Sequence, residues 1–321
     1  MLRRSLLLAA GAVAAPAVGR AQAGWPDRPV RLVVPYAPGG PSDILGRTLA
    51  AALFEAWKQP VVVENRPGAG SSIGTDLVAR AAPDGYTLLL AATAHVMNPA
   101  LMPRLPFDAV RDFTAIINTA FHPMVLVVHP STGVTDVPGF IAASKARPGG
   151  LTMGSAGVGN ASHLAAALFA SVAGIEFTHV PFGGAAPAQA AILSGQVQAG
   201  FLNSTVAVPQ LRGGALRGLA VADSKPWREL PELPTLASLG YAGAEAGSWY
   251  GILAPAKLPA PLVLRLHRDI LAALHLPAVR ERILAAGLDP LEVGPEAFQA
   301  QIAAETAKWG KVVRDAGITP D

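Results

Sequence analysis

The chain contains no cysteine. That excludes disulfide bridges, thiol chemistry and lipidation of an N-terminal cysteine, although it does not decide the compartment, because large exported proteins fold without bridges. Charge is also sparse: Asp, Glu, Lys and Arg make up 15% of the 321 residues, against 51% hydrophobic ones, which supplies ample material for a large core. No basic stretch occurs, so nothing marks a nucleic-acid surface. The seven histidines, His95, His122, His129, His163, His179, His267 and His275, form neither a His-Glu-x-x-His pair nor a metal-ligand cluster. Neither a metal nor another cofactor is expected. Beyond the N-terminus no apolar run is long enough to span a membrane, so the mature chain is expected to be soluble.

The N-terminus reads as a signal. Arg3-Arg4 precedes an apolar run at residues 6–17, and Ala21-Gln22-Ala23 supplies a small-x-small cleavage site. The run falls well short of the ~20 residues a spanning helix needs. Residues 1–23 are therefore taken as a cleavable secretory segment, and the arginine pair also permits the twin-arginine route. This segment holds Arg3, Arg4 and Arg20 and no acid, so of 25 Lys and Arg residues 22 remain to balance 22 Asp and Glu. The mature chain is formally neutral.

Two stretches share one plan. Residues 33–43, Val-Val-Pro-Tyr-Ala-Pro-Gly-Gly-Pro-Ser-Asp, and residues 152–163, Thr-Met-Gly-Ser-Ala-Gly-Val-Gly-Asn-Ala-Ser-His, each read as a strand, a Gly-rich loop and a helix start. Such a loop presents backbone N–H groups and small hydroxyls at the positive end of a helix, which suits an anion. Two copies on separate halves suggest a clamp on a small acidic ligand.

Strand-like and helix-like segments alternate throughout, as expected of α/β layers with largely parallel strands. Ser42 is placed as the cap of a helix carrying Leu45, Leu49, Leu53 and Trp57 at helical spacing. A new block opens at residues 125–128, after His122-Pro123. Residues 226–243, rich in proline and small side chains, read as a linker, with a strand at 249–254 and helices near 261–274 and 295–314 beyond it. Residues 24–124 plus 247–321 are expected to form one lobe and residues 125–246 an inserted second lobe.

Three motifs compete for other chemistry. The loop at 157–162 half-matches a dinucleotide fingerprint, but Ser162 replaces the third glycine. Gly70-Ser71-Ser72-Ile73-Gly74 matches a nucleophile elbow, making an exported serine hydrolase with Ser72 as nucleophile the alternative reading. Against it, residues 65–69 separate the motif from the preceding strand, and no His-Gly-Gly-Gly segment offers an oxyanion hole. Asp43 serves either a ligand ammonium group or the loop itself, by accepting backbone N–H bonds or complementing the helix dipole. Trp249 and Tyr250 read as core rather than pocket wall.

Taken in order, residues 33–43, Val63-Glu64-Asn65-Arg66-Pro67-Gly68-Ala69-Gly70, residues 154–163, Val180-Pro181-Phe182-Gly183-Gly184-Ala185, residues 230–235 and residues 249–255 resemble the Bug-type receptors of tripartite tricarboxylate transporters, across essentially the whole mature chain. The resemblance implies a two-lobe periplasmic binding protein of type II-like fold, each lobe a mostly parallel sheet flanked by helices, with a hinge of crossing strands and no catalysis. It implies a monomer that holds a small carboxylate (a di- or tricarboxylate, an amino acid or an aromatic acid) through N–H groups, hydroxyls and ordered water, and hands it to membrane permease subunits. Carried onto this chain, the ligand-binding residues are Tyr36, Ala37, Pro38, Gly39, Gly40, Ser42 and Asp43 of the first loop, with Thr93 beside them. From the second lobe come Ser155, Asn160, Ser162 and His163, with Phe182 and Asn203. Neither loop holds an arginine, so a bidentate arginine clamp on the carboxylate is not evident.

Overall fold

A computed structural model describes residues 24–319. The proposed signal segment, residues 1–23, lies outside the described residues.

The chain opens with three βα units. Strand β1 (Val30–Val34) buries every side chain but Arg31, which pairs with Glu64 of β2 (Val61–Asn65) at 2.7 Å. Helix α1 (Pro41–Trp57) turns Leu45, Leu49, Leu53 and Trp57 into the core. Its cap is Gly40 rather than Ser42: proline at the first helical position needs no N–H partner, which moves the helix start ahead of the serine. Helix α2 (Ser72–Ala79), strand β3 (Thr87–Ala92) and helix α3 (Ala94–Leu101) follow.

The organising element is β4 (Phe113–Val128), a 16-residue strand that belongs to two sheets. Its first part pairs antiparallel with β9 (Gly247–Pro255) and β10 (Asp289–Val293), and its last part with β7 (Ala199–Asn203) and β8 (Arg217–Val221). The first sheet runs β2-β1-β3-β9-β4, and the second continues β4-β7-β5-β6 through β5 (Leu151–Ser155) and β6 (Phe177–Pro181). Pairings of β1 with β2 and β3, and of β5 with β6 and β7, are parallel; the shared strands are antiparallel. The result is two α/β lobes joined where strands cross.

The crossing is tight. Met124 N–H donates to Ala246 O, and Ala246 N–H donates to Ala222 O, both at 2.9 Å. A side chain at Gly247 would bring its Cβ within 2.4 Å of the Phe121 ring and 2.6 Å of the His122 carbonyl, so only glycine lets the two crossing segments pass this closely.

Helices α4 (Val137–Lys145), α5 (Ala161–Ala173), α6 (Ala185–Leu193) and α7 (Ser204–Arg212) clothe the second sheet. Helices α8 (Ala260–Leu274), α9 (Pro277–Ala285) and α10 (Pro295–Asp315) return to the first. The tract 226–243 is not a free linker: Trp227, Leu230 and Leu236 are buried, and Arg228 reaches Asp289 Oδ1 at 2.5 Å. Its prolines break regular structure without preventing apolar contact.

Candidate functional site

Both Gly-rich loops end on one cleft. The larger part, about 650 Å³, is lined by Tyr36, Gly40, Pro41 and Ser42 from the first loop, Thr93, Met97, Asn98 and Leu101 around α3, Val158, Gly159 and Asn160 from the second loop, and Ser248 and Tyr250 of β9. A smaller chamber of about 280 Å³, lined by Ser155, Ser162, Gly184, Phe201 and Asn203 among others, shares Ala156, Asn160, Ala161 and Ser248 with it. A larger concavity of about 1080 Å³ lies between α5, β6 and α10. It touches only His163 among the expected ligand residues, so the cleft is the better candidate.

The first loop is built on Asp43. Its Oδ2 accepts from Gly39 N–H and Arg47 Nε, each at 3.0 Å, and its Oδ1 accepts from Asn65 Nδ2 at 3.0 Å. Asn65 Nδ2 also donates to Tyr36 O. The Arg47 guanidinium, aided by Gly39 and Asn65, holds the Asp43 carboxyl down at about 2 against the cost of burial. Both Asp43 oxygens are thus engaged within the loop and its neighbours. Ala37, Pro38 and Gly39 are exposed and do not line the cleft; Gly39, at φ +88°, makes the turn that aims its N–H at Asp43.

The second loop is also wired internally. Asn160 Oδ1 caps α5 by accepting from Ser162 N–H at 3.1 Å, while Ser162 Oγ accepts from Ala156 N–H at 3.1 Å. Ser155 Oγ lies 2.6 Å from His179 Nε2 and within bonding distance of both polar groups of Gly157. His163 faces away from the cleft. Its Nδ1 accepts from Gly159 N–H at 3.1 Å, which fixes the Nε2–H tautomer, and its ring stacks on His179 with centroids 3.6 Å apart. Burial, then the neighbouring His179, pushes its pKa down to about 4. Phe182 donates its N–H to Ser155 O and packs behind the loop rather than in the cleft.

Thr93 stands where the lobes cross: its Oγ1 accepts from Trp249 N–H at 2.9 Å. Tyr250, which the sequence reading assigned to the core, is largely buried yet lines the cleft, with its hydroxyl 3.1 Å from His122 Nε2 and its pKa raised by burial. Trp249 is core, donating Nε1–H to Glu305. Met97, Asn98, Leu101 and Ser248 were not foreseen. Residue 250 alternates with 249 along a strand, which places the two on opposite faces and is the signal that separates them.

Among the described residues no Lys, Arg, His, Asp or Glu lines either chamber. Positive potential comes from helix N-termini: those of α1, α3 and α5 open on the larger chamber, and those of α5, α6 and α7 on the smaller. Among the described residues no group of three or more His, Asp or Glu is placed to hold a metal ion. Ser72 is buried in the first turn of α2, separated from β2 by a short turn at Ala69–Ser71, and among the described residues no histidine hydrogen-bonds to it. The geometry of a nucleophile elbow is not present.

Comparison with known proteins agrees with this architecture. The family model described as "Tripartite tricarboxylate transporter family receptor" matches residues 45–318. Protein BugT of Bordetella pertussis is 35% identical over 97% of this chain and 95% of its own. An R. palustris protein solved with adipate is 35% identical, with a TM-score of 0.76, over 92% of this chain and all of the other. MatC from Rhodopseudomonas palustris, solved with bound malate, is 31% identical, with a TM-score of 0.73, over 90% of this chain and all of the other. The chain belongs to the tripartite tricarboxylate transporter receptor family and is a receptor rather than an enzyme.

Proposed function

We propose that the chain is a periplasmic receptor that captures a small carboxylate between its lobes and delivers it to the permease subunits of a tripartite tricarboxylate transporter. The observation that carries this reading is the meeting of two Gly-rich loops, each opening a helix, across one cleft whose lining has N–H groups and hydroxyls but no charged side chain. An anion there is stabilised by aligned dipoles, and enclosing it strengthens them by removing water. Adipate and malate in two similar proteins support the same ligand chemistry.

Ligand contacts are assigned to Tyr36, Gly40, Ser42, Thr93, Ser155, Asn160, Ser162 and Asn203. Asp43, Gly39, His163 and Phe182 hold the loops in shape, and Ala37 and Pro38 shape the mouth. Residues 24–124 with 247–321 close as one monomeric body on residues 125–246, about β4 and the return at Gly247.

Calorimetric titration of ligand-stripped mature protein with mono-, di- and tricarboxylates tests the reading, with X-ray scattering on the same samples to detect closure. One acid should bind, the radius of gyration should fall, and the acid should be recovered intact. Gly40→Val places bulk at a lining position where a Cβ meets no atom within 4 Å, so the variant should fold yet lose at least about tenfold in affinity, equal to ~1.4 kcal/mol. Unchanged affinity would remove the first loop from the site.

A further inference from the structure

The cleft is chemically lopsided, and the asymmetry concerns the far end of the ligand. Met97 and Leu101 lie one turn apart on α3 and face the larger chamber; Met102 follows them and Val158 lies across from them on the second loop. Leu101 reaches the second loop closely enough that a Cβ on Gly159 would sit 2.7 Å from it. The two lobes thus meet in an apolar wall.

The nearby polar groups are already committed. Asn98, 5% exposed, donates Nδ2–H to Gly70 O at 2.7 Å and approaches Ser71 Oγ at 3.5 Å. Gly70 O can only accept, so the amide nitrogen must face it and the Asn98 oxygen is what remains. The Tyr36 hydroxyl belongs to the same lining. That hydroxyl is itself kept protonated, burial pushing it up to about 12. Against these side chains a second carboxylate would meet thioethers, branched aliphatics and an amide oxygen rather than a cation. Leaving a carboxylate so poorly paired in a closed site is strongly unfavourable, whereas a hydrocarbon or aryl group gains contact with Met97, Leu101, Met102 and Val158.

We infer that this receptor selects acids with a single carboxylate and an apolar tail, the carboxylate lying toward the loops and the tail against the Met97–Leu101–Met102–Val158 wall. The inference rests on the carboxylate-receptor reading and narrows it. It sets this chain apart from the similar proteins solved with adipate and malate, both of which are dicarboxylates.

The test uses matched pairs that differ only in the second carboxylate: hexanoate against adipate, and benzoate against terephthalate, titrated into mature protein. The monocarboxylate of at least one pair should bind about thirtyfold tighter than its partner, a difference of ~2 kcal/mol. Dicarboxylates binding as tightly or more tightly overturn the selectivity while leaving the receptor reading intact. Failure of every mono-, di- and tricarboxylate overturns both. Met102→Lys supplies an independent check, since Met102 is half-buried at the end of its helix and a flexible lysine fits there. In the folded variant adipate should gain about tenfold and hexanoate should weaken; unchanged affinities for both would show that the wall does not meet the tail.

Discussion

Asp43 illustrates how a buried charge can hold a loop in shape. Its two oxygens gather Gly39 N–H, the Asn65 amide and the Arg47 guanidinium into one knot that fixes the path of the first loop. Because its folded pKa is depressed to about 2, the stabilisation is present above its unfolded pKa near 4 and is lost as pH falls through about 2. Arg47 is more than half exposed, so solvent screening reduces the knot to roughly 1–2 kcal/mol. Asp43→Ala should therefore lower unfolding free energy by about that amount in urea at pH 7, and should weaken ligand binding through loop disorder. Full retention of both would assign the loop's shape to its prolines alone. At this scale the sequence was informative about residue type and less so about direction. A glycine-rich turn ahead of a helix was legible from spacing, but the outward turn of Ala37 and Pro38, and of His163 toward His179, depends on partners distant in the chain.

Elements with a clean apolar period are legible: β1, α1, α5 and the C-terminal helix carry it. Strand β4 was read only at its end because Asn118, Thr119, His122 and Pro123 interrupt its apolar run. The structure explains each interruption. Thr119 Oγ1 donates to Tyr250 O at 2.7 Å, Asn118 Nδ2 donates to Gln301, His122 meets the Tyr250 hydroxyl, and Pro123 sits where the strand changes sheets. Polar side chains in a buried strand are affordable when each finds a partner, and those partners lie more than 120 residues away. The short elements α3, α9 and β10 escaped notice for a related reason, since packing rather than propensity defines them. At the crossing, Gly247→Val should cost about 3 kcal/mol, because the new side chain meets both a ring and a backbone carbonyl that cannot swing aside. Equilibrium urea unfolding measures this directly; a loss under ~1 kcal/mol would mean the crossing strands can separate freely.

The whole molecule buries three histidines with pKa values pushed down to about 4, His95, His122 and His163, and desolvation is the leading cause for each. They are spread over both lobes and the strand that joins them. Each stays neutral when folded but takes up a proton when unfolded below about pH 6.5, so folded stability falls as pH drops from ~6.5 toward 4. A melting temperature lower at pH 4.5 than at pH 7 by several degrees is the expected result, and a flat profile would contradict the buried neutral state of these rings. The neutral lining of the cleft has a different consequence, one concerning speed and salt. With no charged side chain in the described lining of either chamber, no side-chain charge stands within the cleft to draw anions in. Capture should then proceed without electrostatic acceleration, and both the association rate and the affinity should hardly change between low and high ionic strength, as stopped-flow mixing across a salt series can establish. A collector built this way would work equally well in dilute and in briny surroundings, because dipoles packed against their guest act at distances too short for dissolved ions to intervene.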